Sequence, residues 1–155
     1  ALGQGTGTEL QNVAAPREPL HLVIVAAQFG LSTPSVFKQL DAGRFSGLYP
    51  ASGELVEPAE LLEALNSYDG SEAALASLAP LLRNDLQAPA LSCVPQLEQT
   101  LNLRDSEGVY ASLVSGSGPT VLLLASSQDR AEALATSLRA TGNHAVSAVT
   151  VILYH

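Results

Sequence analysis

The chain has 155 residues, 46% of them hydrophobic and 14% charged, with a net charge of −8. That balance fits a soluble domain with a full core and excludes a disordered chain. With Lys38 as its one lysine, the chain lacks the clustered cations needed for sequence-independent nucleic-acid binding or for an anionic membrane surface.

Residues 1–19 read as an inter-domain connector, with Gly3, Gly5 and Gly7 alternating and an AAPREP stretch following. No helix follows these glycines, so a dinucleotide loop is rejected. Residues 20–155 read as one domain. Leu20 to Ala27 is a continuous apolar, β-branched run and predicts a buried strand. Ser32-Thr33-Pro34 then predicts a helix start, because a cap hydroxyl accepts an orphan N–H and Pro fits the first turn. The helix is expected to reach about Ala42, with Val36, Phe37 and Leu40 inward and Gly43 ending it.

Residues 44–56 read as a loop. Glu57-Pro58 opens a helix with Leu61, Leu62 and Leu65 buried, and Glu54, Glu57, Glu60 and Glu63 form a solvated face. Ser71 caps a helix carrying Leu75, Leu78 and Leu82. A third helical stretch begins at Asn84 and runs to Leu101, with Pro95 marking a fresh start. Strands are predicted at 109–114 and 120–125, a helix from Asp129 to a stop at Gly142, and a last strand at 145–153. The order is that of a split β-α-β-β-α-β, ferredoxin-like α+β fold: one four-stranded antiparallel sheet with extra helices in the first crossover, and helices on one face.

Between the two middle strands lies Ser115-Gly116-Ser117-Gly118-Pro119-Thr120. Small residues and glycines let successive amides turn toward one point, which suits a phosphate. Gly118 is expected to need a conformation, or a closeness to phosphate, that a β-carbon spoils. No Lys-Ser or Lys-Thr follows, so this is not a Walker A loop. An ordinary tight hairpin stands as the alternative.

No other constellation carries chemistry. Cys93 is the single cysteine, which excludes an intramolecular disulfide and is compatible with a reducing, cytoplasmic setting. His21, His144 and His155 show no metal-ligand spacing, and no G-x-S-x-G elbow is present. Asp69 precedes Gly70 and reads as a turn; Asp85, beside Asn84, reads as a helix cap. No apolar run approaches the roughly 18 residues of a membrane span, and no signal peptide opens the chain. The chain does not begin with Met, which fits a processed or excised piece of something longer.

Gly30-Leu31-Ser32-Thr33-Pro34-Ser35-Val36-Phe37, the Asn84-Asp85-Leu86 helix start and the SGSGPT loop together resemble the 4-diphosphocytidyl-2-C-methyl-D-erythritol kinases of the GHMP kinase superfamily. The opening ALGQGTGTEL is similar to that family's crossing between domains, with Thr8 inserted before Glu9. Gln87 stands where the family has Glu, and Val114 replaces a common Met. The resemblance implies the C-terminal half of an ATP- and Mg2+-dependent kinase. It implies that the adenine pocket, the main phosphate loop and the catalytic Lys and Asp belong to an N-terminal ATP-binding domain, a partner absent from this chain. It places a phosphate and substrate loop at Ser115, Gly116, Ser117, Gly118, Pro119 and Thr120, with Ser32, Thr33, Asn84 and Asp85 on the substrate side. It implies neither a catalytic residue nor a metal ligand in this chain, and predicts that 1–155 alone is inactive. SGSGPT by itself also fits homoserine kinases. A non-catalytic, ligand-binding or regulatory module of the same fold remains the reading from a different class.

Overall fold

The computed structural model describes residues 2–4, 8–13, 16–50, 58–141 and 144–151. It is an α+β structure with antiparallel strands and six α-helices among the described residues. Residues 1–19 are not wholly without structure: β1 (Leu2–Gln4) and β2 (Glu9–Gln11) pair antiparallel, with Gly3 opposite Leu10.

The main sheet is built from β3 (Leu20–Ala27), β4 (Val109–Val114), β5 (Val121–Ala125) and β6 (His144–Val151). Its order is β4-β5-β3-β6, with every neighbouring pair antiparallel. β4 is therefore an edge strand. His144 is the first residue of β6 rather than part of the turn before it; residues 152–153, His155 and the expected stop at Gly142 lie outside the described residues.

Alternation sets two faces. Val23, Val25, Val121, Leu123, Ala125 and Val114 join the main core with Val36, Ala90, Leu97, Ala131 and Ala135. These come from α1 (Thr33–Phe45), α4 (Gln87–Cys93), α5 (Leu97–Leu101) and α6 (Gln128–Ala140). Burying each large aliphatic side chain there contributes about 1.5–3 kcal/mol. The α4/α5 break falls at Val94–Pro95, where Pro95 was expected to restart the helix.

The expectation that helices cover one face fails. Tyr68, Leu75 and Leu124 form a second cluster with Leu20, Leu22, Tyr110 and Ala111. Tyr68 follows α2 (Ala59–Ser67), and Leu75 lies on α3 (Glu72–Leu78), so this layer covers part of the other face. A register shift between Val109 and Ala111 explains why Tyr110 and Ala111 both point there: a bulge puts one extra residue on β4. Alternation along β4 alone does not reveal it.

Helix α1 also differs from expectation. It runs to Phe45, and Gly43 is buried inside it. The stop is Gly47, at φ +74°, with Gly47 N–H donating to Arg44 O and Leu48 N–H to Gly43 O. That is a Schellman turn, which needs a residue tolerant of positive φ four positions later than expected. Phe37 is 48% exposed rather than inward. In α2, Leu61, Leu62 and Leu65 are half-buried, not buried; Glu60 and Glu63 are exposed, while Glu54 and Glu57 lie outside the described residues.

Candidate functional site

The β4–β5 hairpin presents Ser115 to Thr120 at one end of the sheet. Ser115 N–H donates to Thr120 O at 2.8 Å, and Gly118 N–H donates to Ser115 O at 2.9 Å. Gly116 sits at φ +57° and Gly118 at φ +79°, and the Gly118–Pro119 bond is cis. A β-carbon on Gly118 would lie 3.1 Å from Val114 Cγ1 and 3.4 Å from Leu31 Cδ2; on Gly116 it would meet open space. The turn itself uses the Ser115 and Gly118 amides, and Pro119 has none. The turn leaves over the amides of Gly116, Ser117 and Thr120, of which the first two sit at its tip. The loop is thus a narrower donor than a run of convergent amides.

The other sequence motifs gather around this turn. Thr33 Oγ1 and Ser117 Oγ lie 2.8 Å apart, joining the start of α1 to the loop tip. Ser32 is the α1 cap, its Oγ accepting from Ser35 N–H at 3.4 Å. Asn84 Nδ2 donates to both Val114 O and Gly116 O, each at 2.7 Å, and Asn84 Oδ1 accepts from Leu86 N–H at 3.0 Å. Gln87 Oε1 accepts from Val114 N–H at 3.0 Å.

Asp85 faces the other way. Its carboxylate lies 3.6 Å from Arg44 Nη2, while Arg44 Nε donates to Pro50 O at 3.1 Å. The structure therefore gives Thr33 to the loop tip, Ser32 to the cap, Asn84 to the loop backbone and Asp85 to an ion pair. The cap expected of Asp85 is absent, since α4 starts at Gln87 with no side-chain cap, and Asn84 instead closes a local turn on Leu86 N–H before the helix. Sequence reasoning noted Gln87 only as a departure from a pattern. An amide three residues after Asn84 at a helix start was the signal that both could face one strand.

The groups next to the loop are hydroxyls and amides, which suit phosphate oxygens. Mg2+ prefers carboxylate oxygens, and the Asp85 carboxylate is already engaged by Arg44. Among the described residues no three His, Cys, Asp or Glu side chains gather as a metal site. Displaced titrations lie at the far end of the hairpin. Burial, then the charges of Asp69 and Glu18, pushes the Tyr68 hydroxyl up. Hydrogen bonding from Ser71 holds the Asp69 carboxyl down; Ser71 N–H reaches Asp69 Oδ1 at 2.9 Å, the turn expected before Gly70. Among the described residues no helix is long and apolar enough to cross a membrane.

A family model described as GHMP kinases C terminal matches residues 58–144. The chain belongs to the GHMP kinase family. The matched span contains Asn84, Gln87 and the whole loop, while Thr33 lies before it. Among curated GHMP relatives, the chain is 46% identical over 142 residues to the 4-diphosphocytidyl-2-C-methyl-D-erythritol kinase of Nocardia farcinica, covering 92% of this chain and 43% of that protein. It is 41% identical over 152 residues to the protein of the same name from an Arthrobacter species, covering 97% and 44%. The chain thus spans less than half the length of these relatives. A crystal structure of 4-(cytidine 5'-diphospho)-2C-methyl-D-erythritol kinase superposes with a TM-score of 0.70 at 27% identity, over 94% of this chain and 47% of that one. A homoserine kinase from Cytophaga hutchinsonii shares the fold, with a TM-score of 0.61 at 13% identity over 94% and 45%.

Proposed function

We propose that this chain is the C-terminal half of an ATP-dependent kinase that phosphorylates the 2-hydroxyl of 4-diphosphocytidyl-2-C-methyl-D-erythritol. The observation that carries the reading is 46% identity to the Nocardia kinase across nine-tenths of the chain. Geometry adds to it. Phosphoryl transfer depends on positioning and charge stabilisation rather than covalent chemistry. Rim amides at Gly116 and Ser117, with the Thr33 and Ser117 hydroxyls beside them, suit that task at the transferring phosphate and the substrate.

The acid–base groups, the adenine pocket and the Mg2+ site then belong to an N-terminal ATP-binding domain, the partner of this one. Residues 1–19 serve as the connector and 20–155 as the C-terminal domain, which we read as the four-stranded ferredoxin-like plan with extra helices. A metal held in that domain would supply charge neutralisation on the phosphates, while this chain would supply backbone donors. A cytoplasmic location fits an enzyme acting on ATP and a small phosphorylated metabolite.

The test is the full-length protein with ATP and either the cytidyl-diphospho substrate or homoserine, with ADP release and 31P signals of the product recorded. The expected result is turnover of the cytidyl compound and none of homoserine. The opposite preference, or no turnover of either, overturns the reading.

A further inference from the structure

We infer that Asn84 and Gln87 are positioning residues that lock the entry of the glycine loop and thereby aim the Ser117 amide; its catalytic consequence rests on the kinase reading above. β4 is an edge strand, so the N–H and C=O groups of Val114 that turn away from β5 would ordinarily face water. Here one helix start takes both. Gln87 Oε1 holds Val114 N–H, and Asn84 Nδ2 holds Val114 O. The same Asn84 nitrogen also holds Gly116 O, so the clamp straddles Ser115.

Peptide planarity converts this into an aim. In a trans peptide the N–H of the next residue points opposite the C=O. Fixing Val114 O on Asn84 sends Ser115 N–H the other way, where it meets Thr120 O at 2.8 Å. Fixing Gly116 O on the same nitrogen sends Ser117 N–H away from Asn84, toward the outer rim. Gly116, at φ +57° with open space around it, has no side chain to hold that plane by itself. Without the clamp the Gly116–Ser117 peptide is free to rotate, and an amide donor loses its value when it is not preorganised.

Asn84→Asp isolates this role in the full-length protein. It keeps the oxygen that accepts from Leu86 N–H and replaces the donor by an oxygen facing two carbonyls. Turnover number should fall about 10- to 100-fold, short of the roughly 100- to 1000-fold that outright loss of such a donor costs, because the amide is misaimed and not removed. KM for the phosphate acceptor should move less than about two-fold, because the group acts on the transition state. Hydrogen exchange in peptides spanning residues 112–120 should speed up while exchange in 128–140 does not. Gln87→Glu keeps an acceptor and should stay near wild type. Should Asn84→Asp fail to fold, Asn84→Ala, which removes both contacts to Val114 O and Gly116 O without adding an oxygen, carries the same measurements. Unchanged exchange at 112–120 overturns the clamp. Faster exchange with undiminished turnover of the folded enzyme overturns its catalytic role. If the wild-type protein shows no turnover, the kinase reading falls, and exchange alone decides the clamp.

Discussion

Thr33 and Ser117 stand 84 positions apart in the chain, yet their hydroxyl oxygens are 2.8 Å from one another. One sits at the first turn of α1 and the other at the loop tip, so the pair ties a helix start to a hairpin. Both are exposed or half-exposed, which limits the bond's worth to about 0.5–1.5 kcal/mol. A cycle of Thr33→Val, Ser117→Ala and the double variant should show coupling of about that size in kcat/KM of the full-length enzyme. Additive single effects would mean that the two hydroxyls act separately.

Gly43 makes a second test, this time of packing. A β-carbon there would collide with the ring of Tyr49, whose hydroxyl is 2.9 Å from Ser92 Oγ on α4. Gly43→Ala gains roughly 1 kcal/mol of helix propensity. Overpacking a filled site costs about 1–3 kcal/mol, and here the ring is held at its far end. The net expectation is a loss of up to about 2 kcal/mol of unfolding free energy, read from a lowered denaturant midpoint. Gly43→Ala with Tyr49→Ala should recover the propensity term.

These two residues show where sequence reading succeeds and where it stops. Local chemistry was legible: Ser32, Ser71 and the break at Pro95 lie where capping and proline sterics put them. The runs of β3, β4 and β5 follow from short apolar stretches, rich in β-branched residues in β3. Gly43 was misread as a stop because a glycine late in a helix pattern signals a C-cap, whereas this one makes room for a ring from six residues onward. The bulge at Tyr110 is a property of the β4–β5 pairing, invisible in β4 alone. Thr33 and Ser117 were both picked as candidates, but no local rule says they touch. Gln87 was missed because its role is to a strand 27 residues away.

Tyr68 gives a pH test. It is 2% exposed, and burial first, then Asp69 and Glu18, raises its pKa. A tyrosine whose folded pKa lies above its unfolded value near 10 contributes stability that is fully present below about pH 10. That contribution is lost as pH rises through the folded pKa. Tyr110, packed in the same cluster and also raised by burial and then by Glu72, titrates in the same window, so Tyr68→Phe removes part of the fall and not all of it. The denaturant midpoint should stay level through neutral pH and fall above about pH 10, and it should fall less steeply in Tyr68→Phe. Equal slopes for the two proteins would place the alkaline transition elsewhere.

Residues 1–155 alone should not transfer phosphate from ATP. Among the described residues the groups beside the loop are amides and hydroxyls, and the Asp85 carboxylate is paired with Arg44. An ADP-release assay on the purified chain checks this. Turnover above the blank that a substitution in this chain abolishes would refute it.

Gly116 and Gly118 should respond differently to the same change. Both have positive φ, so a β-carbon costs each roughly 1–2 kcal/mol of backbone strain. At Gly118 the new atom also crowds Val114 Cγ1 at 3.1 Å, and its amide already closes the turn on Ser115. Gly118→Ala should therefore act mainly through stability, with a loss of about 2–3 kcal/mol of unfolding free energy read from a lowered midpoint. At Gly116 the β-carbon enters open space on the rim where an anion would approach. Gly116→Ala should cost only the strain, yet lower turnover of the folded enzyme by up to roughly 100- to 1000-fold through its own and the Ser117 amide. Turnover and denaturant midpoint measured on one preparation of each variant separate the two. If Gly116→Ala keeps near-normal turnover per folded molecule, the loop is a hairpin turn and not a phosphate site.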